Sequence, residues 1–345
     1  MSENWYGIPG DLPPQMELHT LISGKWAMQA VYAAAELGIA DQLKDGPRSS
    51  AEVARRCDTN EDATYRLMRA LSNVGVLDER DGRVFALTDV GQFLRSDVPG
   101  SLRGYARFVG YAPSWRAWGE ILHSVRTGEP AADHVFGENL FEYFAKHLDE
   151  SAIFDAAMTS VSGVESEAVA TSYDFSAIGT LADVGGGRGF LLATILRRNP
   201  AMKGILFDLP HVASGAPSLL REQGVEGRVR IETGSFLETV PMGADAIIMK
   251  HIIHDWNDDD CVRILRNCRA ALPPRGRLLV VEAVVPPPGQ RDWSKLLDLE
   301  MLVLTPRGRE RTEAEYAKLL AAGGFRLTRV VRTPSPASVV EGERA

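Results

Sequence analysis

The feature that most constrains this chain is the run Asp183-Val184-Gly185-Gly186-Gly187-Arg188-Gly189, placed between a short apolar segment and a helical one. Leu181–Val184 reads as a buried strand, and Phe190–Asn199 as a helix stopped by Pro200. Glycines at such a strand-to-helix turn let the backbone take φ > 0 and approach a ligand closely. The alternation then continues. Gly204–Asp208, Val229–Ile231, Ala246–Lys250 and Arg277–Ala283 read as strands, with a helix over Asn257–Leu272 that Pro273-Pro274 ends. Thr312-Glu313-Ala314-Glu315 is a capping box opening a last helix before Gly323-Gly324, and a final strand starts at Phe325. This order predicts a mostly parallel, doubly wound α/β sheet whose ligands sit at the carboxyl ends of the strands.

The glycine spacing narrows the ligand. Phe190 stands where a dinucleotide fingerprint needs its third glycine, and no Gly-Lys-Ser/Thr follows, which excludes a P-loop. Asp208, at the end of the second strand, can accept both hydroxyls of a ribose. His254 lies in Met249-Lys250-His251-Ile252-Ile253-His254-Asp255-Trp256, just past the fourth strand, where a general base belongs. Glu282 and Glu310 recur at strand ends, and a carboxylate on one imidazole nitrogen frees the other to take a proton. His251 reads as an ordinary polar histidine. Asp258-Asp259-Asp260 reads as the first turn of a helix capped by Asn257, where acids complement the dipole. No histidine–carboxylate spacing suggests a metal.

The first hundred residues follow another pattern. A long Ala-rich helix over Met16–Leu37 precedes a helix opened by Ser49–Glu52 and running to about Cys57. A third is capped by Asn60, with Ala63, Leu67, Ala70, Leu71 and Val74 as its apolar stripe. Val76-Leu77 and Val84-Phe85 flank the turn Arg80–Arg83, giving a winged-helix order. A DNA-reading role fits poorly, because the third helix starts Asn60-Glu61-Asp62 and the chain carries a net charge of −8. Dimerisation or a substrate-lid role is expected instead. Ser101–Tyr173 reads as helical and aromatic, suited to lining a pocket for a flat ligand. At 345 residues, two domains are expected, divided here as 1–112 and 113–345. Met1–Pro14 lacks a basic region followed by an apolar core, and Cys57, Cys261 and Cys268 have no ligand spacing. Both features point to the cytoplasm, with Cys261 and Cys268 as core residues.

Together Asp183–Gly189, Phe207-Asp-Leu-Pro-His211, Lys250–Trp256 and Gly308-Arg-Glu-Arg-Thr312 resemble the caffeate-type O-methyltransferases of plant phenolic and bacterial natural-product biosynthesis. The resemblance spans nearly the whole chain. It implies a Rossmann-like class I methyltransferase domain after a winged-helix dimerisation domain, a homodimer, and S-adenosylmethionine as cofactor. By the same resemblance Gly185, Gly187 and Ser162 hold the methionine end, Asp208 the ribose, and Ser235, Phe236 and Trp256 the adenine, with Asp183 and Leu209 as further cofactor-binding residues. Lys250 also contacts the cofactor. His254 is the base flanked by Glu282 and Glu310, and Phe154, Met158, Asp255, Met301 and Thr305 line the acceptor site. The acceptor implied is a small aromatic hydroxyl. Two departures stand out: Gly234-Ser235 replaces the family's Gly-Asp, and Thr305 replaces an asparagine common in plant members. N-methylation and cofactor binding without methyl transfer stay open as rival readings, with a DNA-binding regulator the least supported.

Overall fold

The computed structural model describes residues 12–345, except for the side chains of Phe141 and Val164. The stretch read for a leader lies, up to Asp11, outside the described residues. Two compact units form: one takes the chain up to Trp115 together with Phe144–Val161, the other Arg116–Tyr143 together with Ser162–Ala345.

In the first unit the leading helix runs Pro14–Leu37 and stops at Gly38, whose φ of 67° makes a left-handed cap. Ser49 caps the helix Ser50–Cys57 by accepting from the Glu52 backbone N–H at 3.2 Å. The Glu52 carboxylate goes to Arg48 instead, so only half of the box forms. Asn60 caps Glu61–Asn73 as expected. Its buried face differs from the expected stripe: Thr64, Met68 and Leu71 point inward, while Ala63 and Ala70 are exposed. The face is rotated by about one residue because the core needs Met68's bulk, and alanine is a weak marker of a helix face. The wing pairs Leu77–Arg80 with Val84–Leu87, and Arg48–Ser49 adds a third short strand.

The second unit holds the large sheet. We label its main strands β1 (Thr180–Val184), β2 (Lys203–Asp208), β3 (Val229–Thr233), β4 (Ala246–Lys250), β5 (Arg277–Val285), β6 (Phe325–Arg332) and β7 (Ala337–Arg344). Their order is β3-β2-β1-β4-β5-β7-β6, with β7 antiparallel to both neighbours and the first five parallel. β7 was absent from the sequence expectations. Its Val339 and Val340 are fully buried between β5 and β6. The sheet is covered on both faces. Leu191, Leu192, Ile195, Leu196 and Leu220 pack on one, and Ile264, Leu265, Cys268, Tyr316 and Leu320 on the other. Cys261 and Cys268 are buried in this second layer, and burial raises both thiols to about 12, so they pack as small apolar groups. No helix of the described residues is long and apolar enough to cross a membrane.

Candidate active site

The chain reverses between β1 and β4, where the strand order runs outward in both directions, and the glycine turn opens there. Gly185, Gly187 and Gly189 all have φ between 59° and 85°. A side chain at Gly185 would place its Cβ 2.3 Å from Ile252 Cδ1, whereas at Gly187 nothing lies within 4 Å. One glycine is therefore needed for packing, and the other leaves an open cradle. Gly185→Ala is expected to lower stability by about 1–3 kcal/mol, read by thermal melting. An unaltered Tm would contradict this reading of the turn.

Asp208 faces that cradle. Its Oδ2 accepts the Gly187 N–H and its Oδ1 the Leu209 N–H, both at 2.7 Å. Each oxygen keeps a lone pair for a further donor. Burial raises the Asp208 carboxyl, and the two N–H groups oppose the rise. Asp183 is fully buried beside it, its Oδ2 unpartnered among the described residues and its carboxyl lifted by burial to about 7 against the pull of Lys250. An unpartnered buried acid and an open glycine surface fit a ligand with hydroxyl and amine donors. On the far side of Gly185, Phe236 meets Trp256 edge-on with centroids 6.0 Å apart, and Ser235 is half-buried next to them.

The turn after β4 carries His254, which is 6% exposed. Glu282 organises this turn: its Oε1 accepts three successive backbone N–H groups, of Ile252, Ile253 and His254, at 3.1, 2.7 and 3.2 Å. Such a nest is a natural carboxylate seat. Tyr316 donates its hydroxyl to Glu282 Oε2 at 3.2 Å. Arg311, buried in the core, holds the other side of the turn by donating to the carbonyls of Ile253 and Trp256, each at 3.1 Å, and pairing with Asp258. Glu282 is thus mainly a clamp on the backbone, its Oε2 3.9 Å from His254 Nδ1. Glu310 is the direct partner, 2.7 Å from Nδ1, with its backbone N–H held by Asp298. Asp255 lies 3.7 Å from Nε2. The donor atoms of His254, Glu282 and Glu310 fall within 4.8 Å of one another, a proximity that spacing along the chain does not reveal, but most are already hydrogen-bonded within the protein.

Burial alone would lower the His254 pKa. Glu282, Asp255 and Glu310 outweigh it and raise the ring to about 10. Burial also raises Asp255 to about 6 and pushes Glu310 up, each opposed by His254. Of the remaining expected residues, Met301 and Thr305 are buried on and after the helix Ser294–Leu304, Thr305 donating to the Met301 carbonyl at 2.8 Å. The Gly308 backbone passes so close to Thr305 and to the His254 carbonyl that a Cβ would meet both within 2.3 Å. Ser162 is half-buried on Leu148–Ser172. Phe154 and Met158 belong to the other unit, where Phe154 packs against Phe108 and Phe144. Tyr316, Arg311 and Glu165 were not singled out by sequence reasoning. Only Arg311 had a signal, inside the Gly308–Thr312 motif.

Fold and site define a class, the Rossmann-like methyltransferases, whose antiparallel seventh strand is inserted between the fifth and the sixth. Within it the chain belongs to the O-methyltransferase family with a dimerisation domain. The O-methyltransferase domain model matches residues 118–326 and the O-methyltransferase dimerisation domain model residues 19–97. It is 41% identical to the phenazine O-methyltransferase PhzM of Lysobacter antibioticus, over 99% of both chains. It is 40% identical to the O-demethylpuromycin-O-methyltransferase of Streptomyces alboniger, over 95% of this chain and 88% of that one. The crystal structure of LaPhzM superposes with a TM-score of 0.92 at 40% identity, covering 97% of this chain and all of the other. The chain is an S-adenosylmethionine-dependent O-methyltransferase.

Proposed function

We propose that this enzyme methylates a hydroxyl of a small phenolic or polyketide-like secondary metabolite, with His254 as general base. The observation that carries this reading is the buried His254–Glu310 pair, whose 2.7 Å contact occupies Nδ1 and leaves Nε2 for the hydroxyl proton. The carboxylates of Glu282, Asp255 and Glu310 raise the ring, which strengthens it as an acceptor for a phenolic proton. Glu282, Tyr316 and Arg311 hold the turn so that the ring does not reorient during the transfer.

In this reading S-adenosylmethionine, when bound, supplies an electrophilic methyl carbon on a sulfonium. Asp208 and Leu209 would hold its ribose, with Gly185, Gly187, Asp183, Lys250 and Ser162 around its methionine part. Ser235, Phe236 and Trp256 would border its adenine. Met301, Thr305 and Asp255 would border the acceptor. Residues 1–112 would serve dimerisation and 113–345 catalysis. Labelled S-adenosylmethionine, offered with phenols, hydroxyquinones and N-heteroaromatics, tests the reading. The expected product carries label on oxygen. Label found only on nitrogen, or none despite confirmed cofactor binding, would sink it.

The partner we propose is a second copy. Leu18, Leu21, Ile22 and Trp26 are 58–77% exposed and fall on one stripe of Pro14–Leu37. They lie within or just before the segment that the dimerisation-domain model matches, which starts at residue 19. Leu21→Asp combined with Trp26→Asp is expected to halve the mass seen by light scattering. An unchanged mass would remove this helix from the interface.

A further inference from the structure

Beside the His254–Glu310 pair stands a second carboxylate–imidazole pair, in the same unit and turned the other way. Glu165, on the helix Leu148–Ser172, is 3% exposed. Its Oε2 lies 2.7 Å from His251 Nε2 and 3.5 Å from Lys250 Nζ. Burial would raise this carboxyl, but His251 and Lys250 outweigh it and hold it down to about 2. A carboxylate only accepts, so Nε2 of His251 carries the hydrogen and Nδ1 is the nitrogen left over. That Nδ1 is buried and has no hydrogen-bond partner among the described residues. Buried polar atoms in native proteins are rarely left so, and one beside a reactive centre calls for a ligand. Two more facts tie it to the reaction. The His251 ring stacks on that of His254, with centroids 4.9 Å apart and planes 25° from parallel. His251 also sits at φ 55°, a strained backbone conformation for a residue with a side chain, and such strain gathers at functional sites.

We propose that His251 Nδ1 is a second acceptor-binding nitrogen, selecting a methyl acceptor that carries an O–H or N–H on the ring carbon next to the methylated hydroxyl. Glu165 is the positioning residue that keeps this nitrogen free. With Nε2–H donated to Glu165, the neutral form of the His251 ring presents a lone pair at the unpartnered Nδ1, which asks for a donor. The two pairs then act side by side: Glu310 leaves Nε2 of His254 for the reacting hydroxyl, and Glu165 leaves Nδ1 of His251 for its neighbour. This inference rests on His254 being the base of the proposed function.

The test is nitrogen-15 NMR of histidine-labelled full-length protein loaded with S-adenosylhomocysteine and titrated with phenol, pyrocatechol or 2-aminophenol. Pyrocatechol and 2-aminophenol are expected to move the His251 Nδ1 resonance and to bind roughly 3–10-fold more tightly than phenol, as one added hydrogen bond allows. In His251→Phe, which keeps a ring against His254, the preference is expected to vanish. In Glu165→Gln, whose amide can donate as well as accept, the Nε2–H tautomer loses its hold and the preference falls part of the way. Thermal melting, measured in parallel, reports that each variant is folded. A His251 Nδ1 signal that stays still while His254 Nε2 moves overturns the proposal and leaves His254 in its role. Stillness of both rings under all three probes overturns it together with the reading of this pocket as the acceptor site.

Discussion

Replacing His254 with alanine is expected to lower turnover by about 10²- to 10⁴-fold, the usual worth of a positioned general base, while S-adenosylmethionine binding survives. The separation follows from where the groups sit. The glycine turn and Asp208 are built on β1 and β2, and their hydrogen bonds run among Gly187, Asp208 and Leu209. His254 is built on the turn after β4 and bonds to Glu310, on the far side of the sheet's switch point. Removing the imidazole leaves the Glu282 nest intact, because its partners are backbone N–H groups that alanine retains. Cofactor affinity by calorimetry and single-turnover transfer of the labelled methyl check the two halves separately. Undiminished transfer would take His254 out of the mechanism. Loss of cofactor binding would show that the turn had collapsed, and the Glu310 variant below would then carry the test.

Much of this site was legible in the chain because its parts stand at the ends of strands. A glycine run after an apolar strand, an acid after the next, and a histidine after the fourth are each local signals that a doubly wound sheet gathers along one edge. The capping box at Thr312 and the Asn257 cap were equally local, and both form. What stayed hidden was pairing across the sequence. Glu165 meets His251 over 86 residues, and Tyr316 meets Glu282 over 34, with no periodicity to announce either. His251 looked like a bland histidine because its ionised partner lies on a helix whose polar residues resemble a solvated face. The Arg311 motif was visible without its purpose, since clamping carbonyls of another loop leaves no pattern in composition. β7 was missed for a related reason: its pairing partners β5 and β6 are non-adjacent to each other until it inserts between them. The helix face in the first unit was displaced because alanines count as apolar in a stripe yet contribute little burial.

The pH dependence of methyl transfer follows from the same carboxylates. Only the unprotonated ring accepts a proton, so below its pKa of about 10 the free fraction of His254, and with it kcat/KM, is expected to rise with pH. Glu310 is one of three acids that raise this value, and the one that touches the ring. Glu310→Gln keeps the shape and an oxygen acceptor for Nδ1–H but removes the charge. The rising limb is then expected to move to lower pH by roughly 1–3 units, as loss of one adjacent opposite charge does. The plateau falls at the same time, since a less basic ring draws the phenolic proton less strongly. Stability moves in a linked way. A histidine whose folded pKa exceeds its unfolded value of about 6.5 stabilises the fold fully below that pH, and the contribution is lost as pH rises through about 10. The wild type is therefore expected to lose thermal stability between pH 7 and 10, and Glu310→Gln to lose less over that interval. Profiles of kcat/KM and Tm for both proteins over pH 6–10 read the two effects together. A limb that stays in place would mean that Glu310 only orients the ring, and that the charge raising His254 comes from Glu282 and Asp255.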